Sequence, residues 1–150
     1  MSDRAQEDTG ASGAAEQTLH VTRAGETAGE TAQTAAAHRI TGVGKATGAT
    51  KIWFGRVTTG AGEWSGEHHH GEAETGGYVL SGHGRIYYGE EYKEYVDLRE
   101  GDFVFVPPYL PHIEGNMSDT EELVWLTTRT PDNIVVNLED FVDRERLGKD

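Results

Sequence analysis

Gly62-Glu63-Trp64-Ser65-Gly66-Glu67-His68-His69-His70-Gly71-Glu72-Ala73-Glu74 decides how this chain is read. Three of its seven histidines stand here in a row, and Glu72 and Glu74 follow within four residues. Neutral imidazole nitrogen and anionic carboxylate oxygen at this density suit a transition metal such as Zn, Fe, Mn, Co or Ni. On a strand, successive side chains alternate between faces. His68 and His70 then share one face, and His69 takes the other. Two imidazoles from one strand grip a metal from one side only, so further ligands must come from elsewhere in the chain.

Gly101-Asp102-Phe103-Val104-Phe105-Val106-Pro107-Pro108-Tyr109-Leu110-Pro111-His112-Ile113-Glu114-Gly115-Asn116 supplies one. It reads as a turn glycine, an alternating apolar strand, a rigid proline turn that ends the strand, and a lone histidine opening another short strand.

In this order, the two stretches resemble the cupin superfamily. Gly62, His68, His70 and Glu74 stand at the spacing of its first motif, closed one residue late by Gly82. Gly101, Pro107, His112 and Asn116 fit the second motif, with Tyr109 where a glycine normally stands. The resemblance implies a double-stranded β-helix, or jelly-roll barrel, over about residues 40–130. It also implies a metal held by His68, His70, Glu74 and His112. Counting forward from His70 gives Glu74 the fourth place, whereas counting back from Gly82 gives it to Thr75. A slip of one residue turns a strand side chain to the opposite face. A bulge at Gly76-Gly77 would reconcile the counts, and Glu72 or water remain the alternatives to Glu74. The resemblance further implies a homodimer.

The rest of the chain agrees with an all-β domain. Its 150 residues provide for one domain with a real core. Residues 1–18 are small, polar and aperiodic, the composition of a disordered arm. A single domain over 19–150 is expected to follow, opening with a short edge strand at Thr18–Thr22. His38 and Arg39 read as surface or loop residues. From Lys51 onward, short strand-like runs recur about every 8–12 residues between Gly and Pro turns, the pattern of a β-sandwich or barrel. Glu139–Leu147 reads as a short C-terminal helix.

Composition excludes several classes. The chain has no cysteine, so it has neither disulfides nor thiolate-held metals. The net charge of −13 argues against nucleic acid and anionic membrane surfaces. No signal peptide or membrane-length apolar run is visible, so a cytoplasmic location is expected.

Three further residues are candidates for catalysis. Arg56 is in phase with Ile52 and Phe54; an inward arginine there needs a carboxylate partner or an anionic substrate. Glu114 lies two residues after His112 and shares its face, as acid/base, extra ligand or edge charge. Tyr78 belongs to a set of large strand residues, with Trp53, Tyr88, Phe105 and Trp125, that are otherwise core. Arg129 reads as structural. One divalent metal per subunit (Fe, Mn, Ni or Zn) with open coordination positions fits two enzyme classes acting on a small organic substrate. One is a dioxygenase-type oxidoreductase; the other is a Lewis-acid isomerase, lyase or cyclase. A non-catalytic ligand-binding module is the third reading.

Overall fold

The computed structural model describes residues 17–138 and Leu147. The arm expected to be disordered lies outside the described residues apart from Gln17 and Thr18, and the expected C-terminal helix lies outside them apart from Leu147. Ten strands account for the architecture: β1 (Ala37–Val43), β2 (Trp53–Thr59), β3 (His68–His69), β4 (Glu74–Ser81), β5 (His83–Tyr88), β6 (Glu94–Arg99), β7 (Phe103–Val106), β8 (Ile113–Asn116), β9 (Leu123–Thr130) and β10 (Val136–Asn137). Thr18–Thr22 forms no strand. Instead the Thr22 hydroxyl donates to the Gly42 carbonyl at 2.7 Å.

One layer is a five-stranded sheet in the order β1-β2-β9-β4-β7. The other begins as β6-β5-β8 and continues through single bridges, Trp64 to Gly115 and His68 to His112, into the β3–β10 pair. Together the layers make the jelly roll that the resemblance implies, in keeping with the sandwich or barrel expected from the strand pattern.

Alternation decides what faces inward. In the first sheet, Ala37, Val57, Val79, Leu123 and Trp125 pack against Ile86 and Leu98 of the second, forming the main core. Gly55 lies on the same inward row by alternation, and the position is glycine because a Cβ there would overlap the Ile40 carbonyl and sit 2.6 Å from the Trp53 ring. On the outer face of the second sheet, Tyr87, Tyr92, Ile113 and Leu147 form a second cluster with Trp64 and Tyr95. Trp64 stacks on Tyr87 with ring centroids 5.2 Å apart.

The outer face of the first sheet corrects three expectations. Arg56 keeps phase with Ile52 and Phe54, but that row faces solvent; the inward row is Trp53, Gly55, Val57 and Thr59. Tyr78 also points outward, against Phe103 at 4.8 Å. Neither residue lies in the interior where a site would form. Phe103 and Phe105 are 79% and 60% exposed. In β7 it is Val104 and Val106 that turn inward, opposite Gly77 and Thr75.

Candidate metal centre

Four side chains converge inside the barrel: His68, His70, His112 and Glu114, with one ligand atom from each lying within 4.8 Å of the others. His68 and His112 are brought together by the backbone. Each donates its amide to the other's carbonyl, at 3.2 Å from His68 and 2.9 Å from His112. Their rings stand 4.3 Å apart. His70 sits just past β3, where the chain turns and Ala73 donates back to the His70 carbonyl at 3.0 Å.

All three imidazoles are oriented in the same way. Nδ1 of His68 is 2.9 Å from the Gly66 carbonyl. Nδ1 of His112 is 2.9 Å from the Leu110 carbonyl, and Nδ1 of His70 is 2.8 Å from the Ile134 carbonyl. A carbonyl can only accept, so each Nδ1 carries the proton and each Nε2 presents a lone pair to the cavity. This outer hydrogen bond is the one that metal-ligating histidines make. Nε2 of His68 and of His112 are buried without a hydrogen-bond partner. Orphaned acceptors of this kind are rare in folded proteins. The donor set therefore fits a divalent transition metal.

Glu114 supplies the carboxylate. Its Oε2 lies 3.3 Å from His112 Nε2 and 3.7 Å from His68 Nε2. Ser65 holds the backbone behind it: the Ser65 amide donates to the Glu114 carbonyl at 2.8 Å, and the Ser65 hydroxyl accepts from the Glu114 amide at 2.9 Å. Burial works against the charge of Glu114; His112 and His68 outweigh it and hold the carboxyl well below its usual range only when they carry a proton at Nε2 toward it. Burial likewise holds His68 down to about 4. His70 is held down to about 2, first by burial and then by the charge of Arg129. Both imidazoles are thus neutral and ready to ligate at physiological pH.

Glu74 does not join them. It is exposed at the start of β4, and Thr75 takes the inward place. The count back from Gly82 therefore describes the inner face. Glu72 is exposed as well. The second motif's asparagine holds the scaffold together. Asn116 Nδ2 reaches the carbonyls of Thr59, Gly60 and Glu121 at 3.1, 3.0 and 2.8 Å, tying three segments to one another. Tyr109 adopts the left-handed conformation (φ 63°) that the replaced glycine would favour. It is exposed, 5.8 Å from the outward ring of His69, and not over the cavity.

Two arginines complete the interior, and neither was expected there. Arg39 on β1 and Arg129 on β9 are each only 2% exposed. Nη2 of Arg129 donates to His70 Nε2 at 3.0 Å, and Nη1 to Asn133 Oδ1 at 2.8 Å. Its guanidinium lies 5.6 Å from the Trp53 ring, a cation–π contact. Burial first, and then the charge of Arg39, lower Arg129 to about 9, with Glu114 opposing; it remains charged at neutral pH. Arg39 is lowered by burial and supported by Glu114.

A barrel of two antiparallel sheets enclosing three oriented imidazoles and a carboxylate defines a jelly-roll protein with a candidate metal centre. Residues 55–129 match the Cupin domain family, and the chain belongs to it. No curated protein matches the sequence. Solved structures share the fold. A Klebsiella pneumoniae protein described as uncharacterised, with a double-stranded β-helix domain, superposes at TM-score 0.59 and 16% identity, over 73% of this chain and 90% of its own. Lactobacillus farciminis oxalate decarboxylase, in a formate complex, gives TM-score 0.61 and 21% identity over 71% of this chain and 32% of its own. A recombinant oxalate oxidase in complex with glycolate gives 0.59 and 19% over 74% and 59%. Among the described residues, no helix is long and apolar enough to cross a membrane.

Proposed function

We propose that the protein is a metal-dependent enzyme acting on a small organic substrate, and that its reaction is of the dioxygenase type. The observation that carries the metal is the convergence of three Nε2 lone pairs, each fixed by a backbone carbonyl at Nδ1. His68, His70, His112 and Glu114 would hold the ion, and their four places leave room for exogenous ligands. When bound, the metal supplies a redox centre at which substrate and dioxygen meet. The same donor set also serves Lewis-acid isomerase, lyase or cyclase chemistry. Oxidase chemistry on this fold is represented by the oxalate oxidase neighbour, an analogy of fold only.

The chain's own groups set the conditions. Val57, Ile86, Val104, Val106 and Trp125 give the cavity beside the candidate ligands an apolar wall. Glu114 brings anionic charge to the ion, and the backbone around Ser65 keeps it in place. Arg129 holds a positive charge against His70. The proposal includes a cytoplasmic homodimer with no nucleic-acid or membrane partner. The acidic charge supports the last point, and the apolar outer row of Phe54, Tyr78, Phe103 and Leu126 supports the dimer.

The test is elemental analysis of untagged protein, followed by oxygen uptake by Fe(II)-loaded protein with small phenols, diketones and acids. Near-stoichiometric Fe, Mn or Ni, lost in His112→Ala, together with uptake is the expected result. Turnover without oxygen would move the assignment to Lewis-acid chemistry. No metal on purification or reconstitution would overturn the metal-dependent reading.

A further inference from the structure

The outer face of the first sheet is nearly free of charge. Of the side chains that β2, β9, β4 and β7 present outward, only Arg56 and Glu74 are charged, in a chain with 26 acidic and 13 basic residues. Depletion of charge together with exposed aromatic rings is the composition of an interface core. Neither Arg56 nor Glu74 forms an ion pair among the described residues. Between them a trough of about 530 Å³ runs past Phe54, Tyr78, Phe103, Leu126 and Thr128 and over Gly76. A Cβ at Gly76 would meet only the Thr128 methyl, at 3.5 Å. The strand would therefore accept a side chain there, and the trough is open because it has none.

The two charges are placed symmetrically on this face. Arg56 stands opposite Leu126, Leu126 opposite Tyr78, and Tyr78 opposite Phe103. Glu74 stands opposite Thr130. Thr128, on the strand between β2 and β4 and on the row between Leu126 and Thr130, is therefore midway between Arg56 and Glu74. By strand spacing and rise, Arg56 and Glu74 lie about 17 Å apart, and Phe103 lies about 14 Å from each. A line on the face through Thr128 and Phe103 thus separates two halves that exchange Arg56 for Glu74. We propose that this face binds a second copy of the chain about a twofold axis along that line. Each Arg56 then meets the partner subunit's Glu74, and the two Phe103 rings meet over the troughs that Gly76 leaves open. Such an interface is isologous and closed. It also meets the charge of the chain: two copies of net charge −13 approach closely only where acids are absent or paired. The inference rests on the reading of the protein as a homodimer, and names the face and the register of the pair.

Sedimentation equilibrium of the full-length protein tests this, with circular dichroism melts to show that each variant folds. The wild type is expected to be a dimer. Arg56→Glu and Glu74→Arg each set two like-charge contacts across the axis, and each is expected to weaken dimerisation at least about tenfold. The double variant Arg56→Glu/Glu74→Arg restores both contacts with their signs exchanged, and is expected to dimerise within about threefold of the wild type. Gly76→Leu fills the trough, and is expected to weaken dimerisation at least about tenfold while the subunit stays folded. Single reversals that dimerise as the wild type does overturn this interface and leave the homodimer to another face. Single reversals that dissociate without recovery in the double variant overturn the register. A monomeric wild type overturns the homodimer and this interface together. Should that monomer take up a hydrophobic dye that Gly76→Leu excludes, the trough belongs to a small apolar ligand instead.

Discussion

Nη2 of Arg129 lies 3.0 Å from Nε2 of His70, the atom that His70 would offer to a metal. The guanidinium and the ion compete for one lone pair, and their like charges repel. Arg129→Met is therefore expected to tighten metal binding by about tenfold, equivalent to ~1.4 kcal/mol. Competition with a chromophoric chelator measures it. Unchanged or weaker affinity would show that the arginine does not oppose the ion.

The carboxylate ligand is expected to be Glu114 and not Glu74. Glu114→Gln should lower metal affinity by at least about tenfold. Glu74→Gln should leave it unchanged, because Glu74 is exposed at the start of β4. The pair of titrations separates the forward count of the motif from the backward one.

Acid should destabilise the metal-free protein in a defined window. His68 and His70 are held at about 4 and about 2 against an ordinary 6.5. Below pH 6.5 the unfolded chain takes up protons that the folded one refuses, so stability falls as pH drops. For His68 the loss runs from about 6.5 to about 4 and amounts to ~3 kcal/mol. Denaturant melts between pH 7 and pH 4 measure the slope. A flat profile across that range would contradict neutral burial of the imidazoles.

Tyr109→Gly should leave the proline turn intact and be neutral or stabilising, by up to ~1 kcal/mol. The left-handed conformation costs an L residue about 1–2 kcal/mol, partly offset by the entropy that glycine loses on folding. Its amide would still donate to the Gly71 carbonyl, now at 2.8 Å. A clear fall in melting temperature would instead assign the Tyr109 ring a packing role against His69.

Phe103→Glu is expected to turn a dimer into a monomer in sedimentation. Phe103 is the most exposed ring on the outer face of the first sheet and sits on its edge strand. Apolar edges of this kind are covered in stable proteins. A wild type that sediments as a monomer would remove the dimer from the proposal.

Much of the fold was legible because alternation and turn chemistry are local. The strands from β2 to β9 follow the apolar runs, and three of the four converging ligands follow the spacing of His68, His70 and His112. Glu114 was visible as sharing a face with His112, by the period of two. What was lost was lost to direction and boundary. Arg56 was in phase with the correct neighbours, but phase does not say which face is the core when Ile52 and Phe54 lie on the outside. Arg129 belongs to the inward series of Leu123, Trp125 and Thr127. It lies beyond the last apolar residue of that series, so no local apolar contrast marks it as buried. Arg39 lies on β1, whose alternation of Ala37, Arg39 and Thr41 carries no apolar contrast to detect. Thr75 was marked by the count from Gly82, yet a threonine gives no hint of a ligand set rebuilt around another strand.

Asn133 reaches back to the Thr31 hydroxyl and the Ala32 carbonyl at 2.7 and 3.1 Å while accepting from Arg129. The segment so fastened leads directly into the strand bearing Arg39, and all of it precedes residue 55, where the family match begins. Asn133 thus ties both buried arginines to one point: Arg129 by a direct hydrogen bond, and Arg39 through the segment that leads into its strand.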